Sequence, residues 1–166
     1  MKKMKHILLL ITLVTNLNQV CFTQEYTHPL DIELLLSGTF GELRSNHFHA
    51  GIDLKTKGVE GQNVYSIADG YISRIKISSW GYGKVVYINH YDGRTSVYAH
   101  LRDFASKIDS IITEEQYKSK KFEINYYPKK NEIKVKQKEF IGKSGNSGSS
   151  GGAHLHFEIR DTKTQN

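Results

Sequence analysis

The sequence predicts an all-β domain, mainly one antiparallel sheet, with a single short helix set into an insertion. Three observations carry this. Val64 to Ile77 and Val85 to Leu101 are rich in β-forming residues, and each is broken by an Asp-Gly pair, Asp69-Gly70 and Asp92-Gly93; such a pair between apolar runs is the strongest short-range hairpin signal. His47 to Leu54 (HFHAGIDL) and His154 to Ile159 (HLHFEI) alternate polar and apolar residues with the two-residue period of a half-buried strand. Finally, 166 residues with 38% hydrophobic and 24% charged content describe one globular domain, too short for two of ordinary size.

In chain order, Lys2, Lys3 and Lys5 precede the apolar run Ile7 to Val14, which is too short to span a bilayer and has the build of a secretory signal. Residues 1–24 are read as a cleaved signal, with the mature chain starting between Phe22 and Glu25, although no A-x-A site stands there. The product is expected to be exported, to the periplasm, the cell envelope or the medium, and not to span a membrane. Cys21, the single cysteine, falls in or beside the discarded segment, and Asn18 stands where a lipoprotein signal needs an apolar residue. Without a disulfide, the mature domain depends on its core and on any metal it binds. Residues 25–35 are a leader and 36–162 the folded domain; a tail at 163–166 leaves a further C-terminal region open.

Inside the domain, Phe104 to Tyr117 carries a weak helical pattern, and Ile133 to Ile141 returns to short apolar alternation. Lys118, Lys120, Lys121, Lys129, Lys130, Lys134, Lys136 and Lys138 cluster here. They read as a solvated loop, with attraction to an anionic polymer of the envelope as the functional alternative. The formal charge of +6 includes three signal lysines, leaving about +3 on the mature chain. Basic and aromatic residues do not interleave in a recognition motif, so no nucleic-acid partner is expected.

Alternation gives the strands their chemistry. His154, His156 and Glu158 share one face of HLHFEI, opposite Leu155, Phe157 and Ile159; His47, His49, Gly51 and Asp53 share one face of HFHAGIDL, opposite Phe48, Ala50, Ile52 and Leu54. In the second hairpin Tyr98 and His100 lie on one face, against Val97, Ala99 and Leu101. A face that gathers imidazoles and a carboxylate suits zinc, whose catalytic sites usually have three protein ligands and a water. His49, Asp53 and one histidine of the HLH pair would supply that set. Glycines in GNSGSSGGA, just before His154, let a loop pass close and leave a cleft open to a substrate backbone.

His49-Ala50-Gly51-Ile52-Asp53, Tyr98-Ala99-His100-Leu101, and Gly142 to Gly148 running into His154-Leu155-His156-Phe157 together resemble the lysostaphin-like, or LytM-type, zinc metallopeptidases. Phe40-Gly41-Glu42-Leu43-Arg44 looks like the opening of that domain. The resemblance runs from about Leu36 to Arg160. It implies an antiparallel sheet with a groove across it, one Zn2+ held by His49, Asp53 and His156, and His100 and His154 as the catalytic pair. It also implies hydrolysis of peptide bonds in peptidoglycan stem peptides or cross-bridges by a zinc-activated water. Some relatives have lost these residues and only bind the wall or activate a partner amidase; here every position is filled. The insertion of about 104–138 is longer than in compact members and resembles envelope proteins of the Bacteroidetes type.

Competing motifs fall away. Gly142-Lys143-Ser144 looks like the end of a phosphate-binding loop, but Gln137 stands where its first glycine belongs. Gly148-Ser149-Ser150-Gly151-Gly152 fits G-x-S-x-G by letters, yet the acid and histidine that should follow are in the wrong order. A cupin-like site around His47 and His49 would leave Asp53, His100 and the HLH pair unexplained. His47 reads as a surface or supporting histidine, His28 and His90 as uninvolved, and Glu158 as a salt-bridge or supporting partner of the metal face.

Overall fold

Ile72, Ile75, Val85, Val86, Ile88 and Val97, all β-branched and fully buried, make the centre of the sheet, where a branched side chain packs well on a pleated surface. The protein is seen in a computed structural model that describes residues 25–45 and 47–166; the expected signal, with Cys21, lies outside them. In chain order the described elements are β1 (Leu36–Gly38), β2 (Ile52–Lys55), β3 (Asn63–Tyr65), β4 (Gly70–Ile77), β5 (Lys84–His90), β6 (Arg94–Phe104), α1 (Ser106–Ser119), β7 (Ile124–Tyr126), β8 (Lys134–Val135), β9 (Phe140–Ser144) and β10 (His154–Asp161). The sheet runs β1-β2-β10-β6-β5-β4-β7, with β8 added to β4 and β9 joining β3 to β6. Every pairing is antiparallel. The expected fold class holds.

The two faces are unequal. On one, Ile72, Ile75, Val86, Ile88, Tyr98, Leu101, Leu155 and Phe157 join Ile108 and Ile112 of α1 in a large core. On the other, only Val85, Tyr87, Val97 and Ala99 cluster, with Tyr82 against them. A fully buried aliphatic side chain contributes about 1.5 to 3 kcal/mol, so the first face carries most of the stability and leaves the second for chemistry.

Of the two expected hairpins, one forms. β5 and β6 pair about Asp92-Gly93, where Gly93 takes φ 86° as such turns require. At Asp69-Gly70 the chain does not fold back: β3 pairs with β9, and β4 with β5. Gly70 has no positive φ; it serves close approach instead, since a Cβ there would lie 2.4 Å from the Asn89 carbonyl oxygen. Asp69 is engaged elsewhere, accepting from Gln137 N–H and Lys136 Nζ at 2.8 Å.

The insertion is more than a solvated loop. The eight clustered lysines are all exposed, but Ile108, Ile112, Ile124, Ile133 and Val135 enter the main core. The helix starts two residues later than its pattern suggests, because Phe104 still belongs to β6 and Ala105 caps α1 in an extended conformation.

Candidate metal centre

β2 and β10 lie side by side with Asp53 opposite His156, so the two side chains rise from the same face. His49 does not come from a strand. Where an uninterrupted strand over HFHAGIDL is expected, β2 begins only at Ile52, and His49 is carried on a hairpin whose N–H bonds to Glu42 C=O and whose C=O accepts from Gly41 N–H, both at 2.8 Å. Phe48, expected in the core, is 70% exposed on that hairpin. Gly51 permits the crossing to β10: a Cβ there would meet the Phe157 carbonyl oxygen at 2.4 Å and Glu158 Cγ at 2.6 Å.

Three buried groups converge. His49 Nε2 lies 3.0 Å from His156 Nδ1 and 3.1 Å from Asp53 Oδ1, and His156 Nδ1 lies 3.0 Å from the same oxygen. Donor atoms 2.0 to 2.1 Å from a tetrahedral zinc stand about 3.3 Å apart, so small outward shifts would seat the ion. Each group spends its other polar atom on an outward partner. His49 Nδ1 donates to Thr39 C=O at 2.8 Å, His156 Nε2 to Glu158 Oε1 at 2.8 Å, and Asp53 Oδ2 accepts from Arg44 Nη2 at 2.9 Å. Such partners set the tautomers that leave His49 Nε2 and His156 Nδ1 with lone pairs turned inward.

Charges follow the contacts. Burial works against ionisation of Asp53, but the His154 and His156 imidazoles beside it outweigh that and hold the carboxyl far below the usual range. Glu158 is likewise held down at about 2, because bonds from His156, Arg160 and Tyr82 overcome its burial. His154 sits beside the cluster, with Nε2 3.3 Å from Asp53 Oδ1 and Nδ1 donating to Gly152 C=O at 2.8 Å. Burial disfavours its charge, yet the Asp53 and Gly152 bonds raise its pKa. His100 faces it with ring centroids 4.8 Å apart. Burial lowers His100 to about 4, and its Nδ1 donates to Ser147 C=O at 2.9 Å, leaving Nε2 as the ring's working nitrogen.

His100 reaches the site through a bulge. β6 pairs Tyr98 with Val86 and then Leu101 with Lys84, one residue too many, and His100 takes φ 56°. A bulge of this kind re-aims a side chain at some cost in backbone strain. Simple alternation therefore misplaces Tyr98: it belongs to the main core against Phe157, while Ala99, opposite His156, lies on the site face.

A cleft of about 610 Å³ lies over these residues, lined also by Arg44, Ser45, His47, Gly81, Tyr82, Ser149, Ser150 and Gly151. The glycine loop behaves as expected in part. Gly148 packs on the turn before β5, where a Cβ would come 2.3 Å from Gly81 O, whereas Gly151 borders open space. Tyr82 is the residue that sequence reasoning missed. Its hydroxyl bonds to Glu158 and to Arg160, and its carbonyl accepts from His100 N–H at 3.0 Å. The only local signal is an aromatic set between two glycines, Gly81 and Gly83. His90 is buried away from the cleft between Asp69 C=O and Ser96 Oγ.

A model of peptidase family M23 matches residues 47–117. Over 118 residues the chain is 32% identical to the DD-carboxypeptidase/endopeptidase Mpg of Neisseria meningitidis serogroup B, covering 71% of this chain and 21% of that protein. The chain carries a peptidase family M23 domain. A second relative, the murein hydrolase activator NlpD of Escherichia coli K12, is 33% identical over 122 residues, 74% of this chain and 25% of that protein. The chain thus spans about a fifth to a quarter of these curated relatives. Among solved structures, the catalytic domain of the prophage-encoded M23 protein EnpA from Enterococcus faecalis shares the fold, with a TM-score of 0.58 at 22% identity over 82% of this chain and 87% of that one. No helix among the described residues is long and apolar enough to cross a membrane.

Proposed function

We propose that residues 36–162 form a zinc-dependent endopeptidase that hydrolyses peptide bonds in peptidoglycan stem peptides or cross-bridges, exported by the N-terminal signal to the envelope. His49, Asp53 and His156 hold one Zn2+, and His100 and His154 are the catalytic pair. The observation that carries this reading is the three inward-turned donor atoms within 4.8 Å of one another, each oriented by its own outward partner, on the floor of an open cleft. When bound, the ion would make a water acidic enough to yield a nucleophile near neutral pH and would polarise the scissile carbonyl.

The protein groups do the rest. His100 and His154 each tie Nδ1 to a backbone carbonyl and so offer Nε2 to the cleft; one accepts the nucleophile's proton, and the other donates to the developing oxyanion or the leaving amine. Arg44 holds Asp53 Oδ2 on the outward side and so leaves Oδ1 turned inward. The cleft is lined by both histidines, and an extended peptide laid along it would meet them in turn.

The resemblance to a murein hydrolase activator at 33% identity supports a second reading, a non-catalytic module that binds wall peptides or activates a partner amidase. Digestion of purified sacculi by the zinc-loaded protein, with products read by mass spectrometry and metal by elemental analysis, separates the two. We expect about one zinc per chain and newly cut peptide bonds. Intact sacculi in the presence of stoichiometric zinc would leave the activator.

A further inference from the structure

Nothing from the 104–138 insertion lines the cleft, and its strands β7 and β8 sit on β4, at the far side of the sheet from β10. One side chain closes that distance. Glu123, just before β7, accepts a hydrogen bond through Oε1 from the Ser79 backbone N–H at 2.8 Å. Ser79 belongs to the turn between β4 and β5, and that turn is a wall of the cleft through Gly81 and Tyr82.

The same turn is held from the opposite side. Gly81 N–H donates to Ser149 Oγ, and Ser149 N–H donates to Gly81 C=O, both at 2.9 Å. Directly after these anchors stands Tyr82, whose carbonyl receives the His100 N–H and whose hydroxyl meets Glu158, the partner of His156. The insertion is therefore two contacts from a proposed catalytic histidine. Glu123 carries charge at neutral pH, since the Ser79 N–H and hydroxyl hold its carboxyl below the usual range, which makes the bond to Ser79 charge-assisted. Turns that lack such anchors open most readily.

We propose that Glu123 is a positioning residue through which the insertion fixes the β4–β5 turn as a wall of the cleft and so sets how an extended peptide substrate is received. The proposal rests on the endopeptidase reading for its kinetic consequence only. Its structural half has a separate reporter, because Trp80, the single tryptophan of the chain, stands in this turn and is 78% exposed.

The test compares the full-length protein with Glu123→Ala and Glu123→Gln. Glu123→Ala should lower the steady-state anisotropy of Trp80 and speed amide exchange at Ser79. It should also raise KM for a soluble stem peptide about two- to fivefold, the scale of an exposed charged contact, with kcat, zinc content and melting midpoint unchanged. Glu123→Gln, which keeps an acceptor oxygen, should recover most of each effect. Wild-type anisotropy and KM in Glu123→Ala overturn the proposal, and so does a loss of zinc or of melting midpoint, which would make Glu123 a structural residue. Should the wild type cleave no peptide, the endopeptidase reading fails, and anisotropy with amide exchange alone decides the role of Glu123: changed, it stands; unchanged, it falls.

Discussion

His154 and His156 share a strand face and differ in what their second nitrogen touches. His156 hands Nε2 to a buried carboxylate, Glu158, and turns Nδ1 toward His49 and Asp53; His154 hands Nδ1 to a loop carbonyl and reaches only Asp53. We therefore expect His156→Ala to lose most zinc and all activity. His154→Ala and His100→Ala should keep near-stoichiometric zinc while losing about 10²-fold or more in rate, the usual worth of a proton-transfer or oxyanion contact. Zinc per chain and a peptide-cleavage rate for each purified variant check this, and a metal-free His154→Ala beside a zinc-bound His156→Ala would reverse the assignment. Asp53, His154 and His156 were legible as one face because strand alternation holds for them, whereas His49, on a hairpin, and His100, at a bulge, were legible by residue type and motif alone. Tyr82 and the outward partner Thr39 were not, since a phenol or a backbone carbonyl acquires its role only from what folding brings beside it.

At the scale of elements, the Asp-Gly pairs show where local pattern stops deciding. Both carry the same turn signal, yet only Asp92-Gly93 closes a hairpin; Asp69 is claimed by residues 136 and 137 and Gly70 by β5, contacts made far along the chain that no window around the pair contains. The bulge at His100 escaped for a like reason, because an extra residue in a ladder is a property of the pair of strands. The insertion divides by residue: Ile108, Ile112, Ile124, Ile133 and Val135 enter the core, while its lysines, and with them Tyr117, Phe122 and Tyr127, face water. Replacing Lys118, Lys120, Lys121, Lys129 and Lys130 with Gln should leave zinc binding and cleavage of a small soluble peptide as in the wild type. Any change should appear only with intact sacculi and shrink as salt rises, since exposed charges are screened over about 10 Å at 0.1 M; a salt-independent loss on the small peptide would contradict this.

For the whole molecule, acid stability has a group to which part of it belongs. Burial lowers the pKa of His90 below its ordinary 6.5, so the folded chain resists a proton that the unfolded chain takes up. Its contribution is complete above pH 6.5 and is lost as pH falls from there through the lowered folded value. Urea midpoints at pH 7.5 and pH 5 should drop more for the wild type than for His90→Gln, and equal drops would remove His90 from the account. Sheet order, the other global property, was legible only as antiparallel; that β10 lies between β2 and β6 depends on His156 finding Asp53 on one side and Ala99 on the other, both far back along the chain. Asp53 and His156 are 103 residues apart, and β2 has no neighbour but β1 until β10 arrives. A ribosome making this chain therefore writes one half of the proposed metal centre long before the other. In the reading proposed, the nascent enzyme is inert toward the wall until β10 has been made, and arming it waits on the insertion of that one strand.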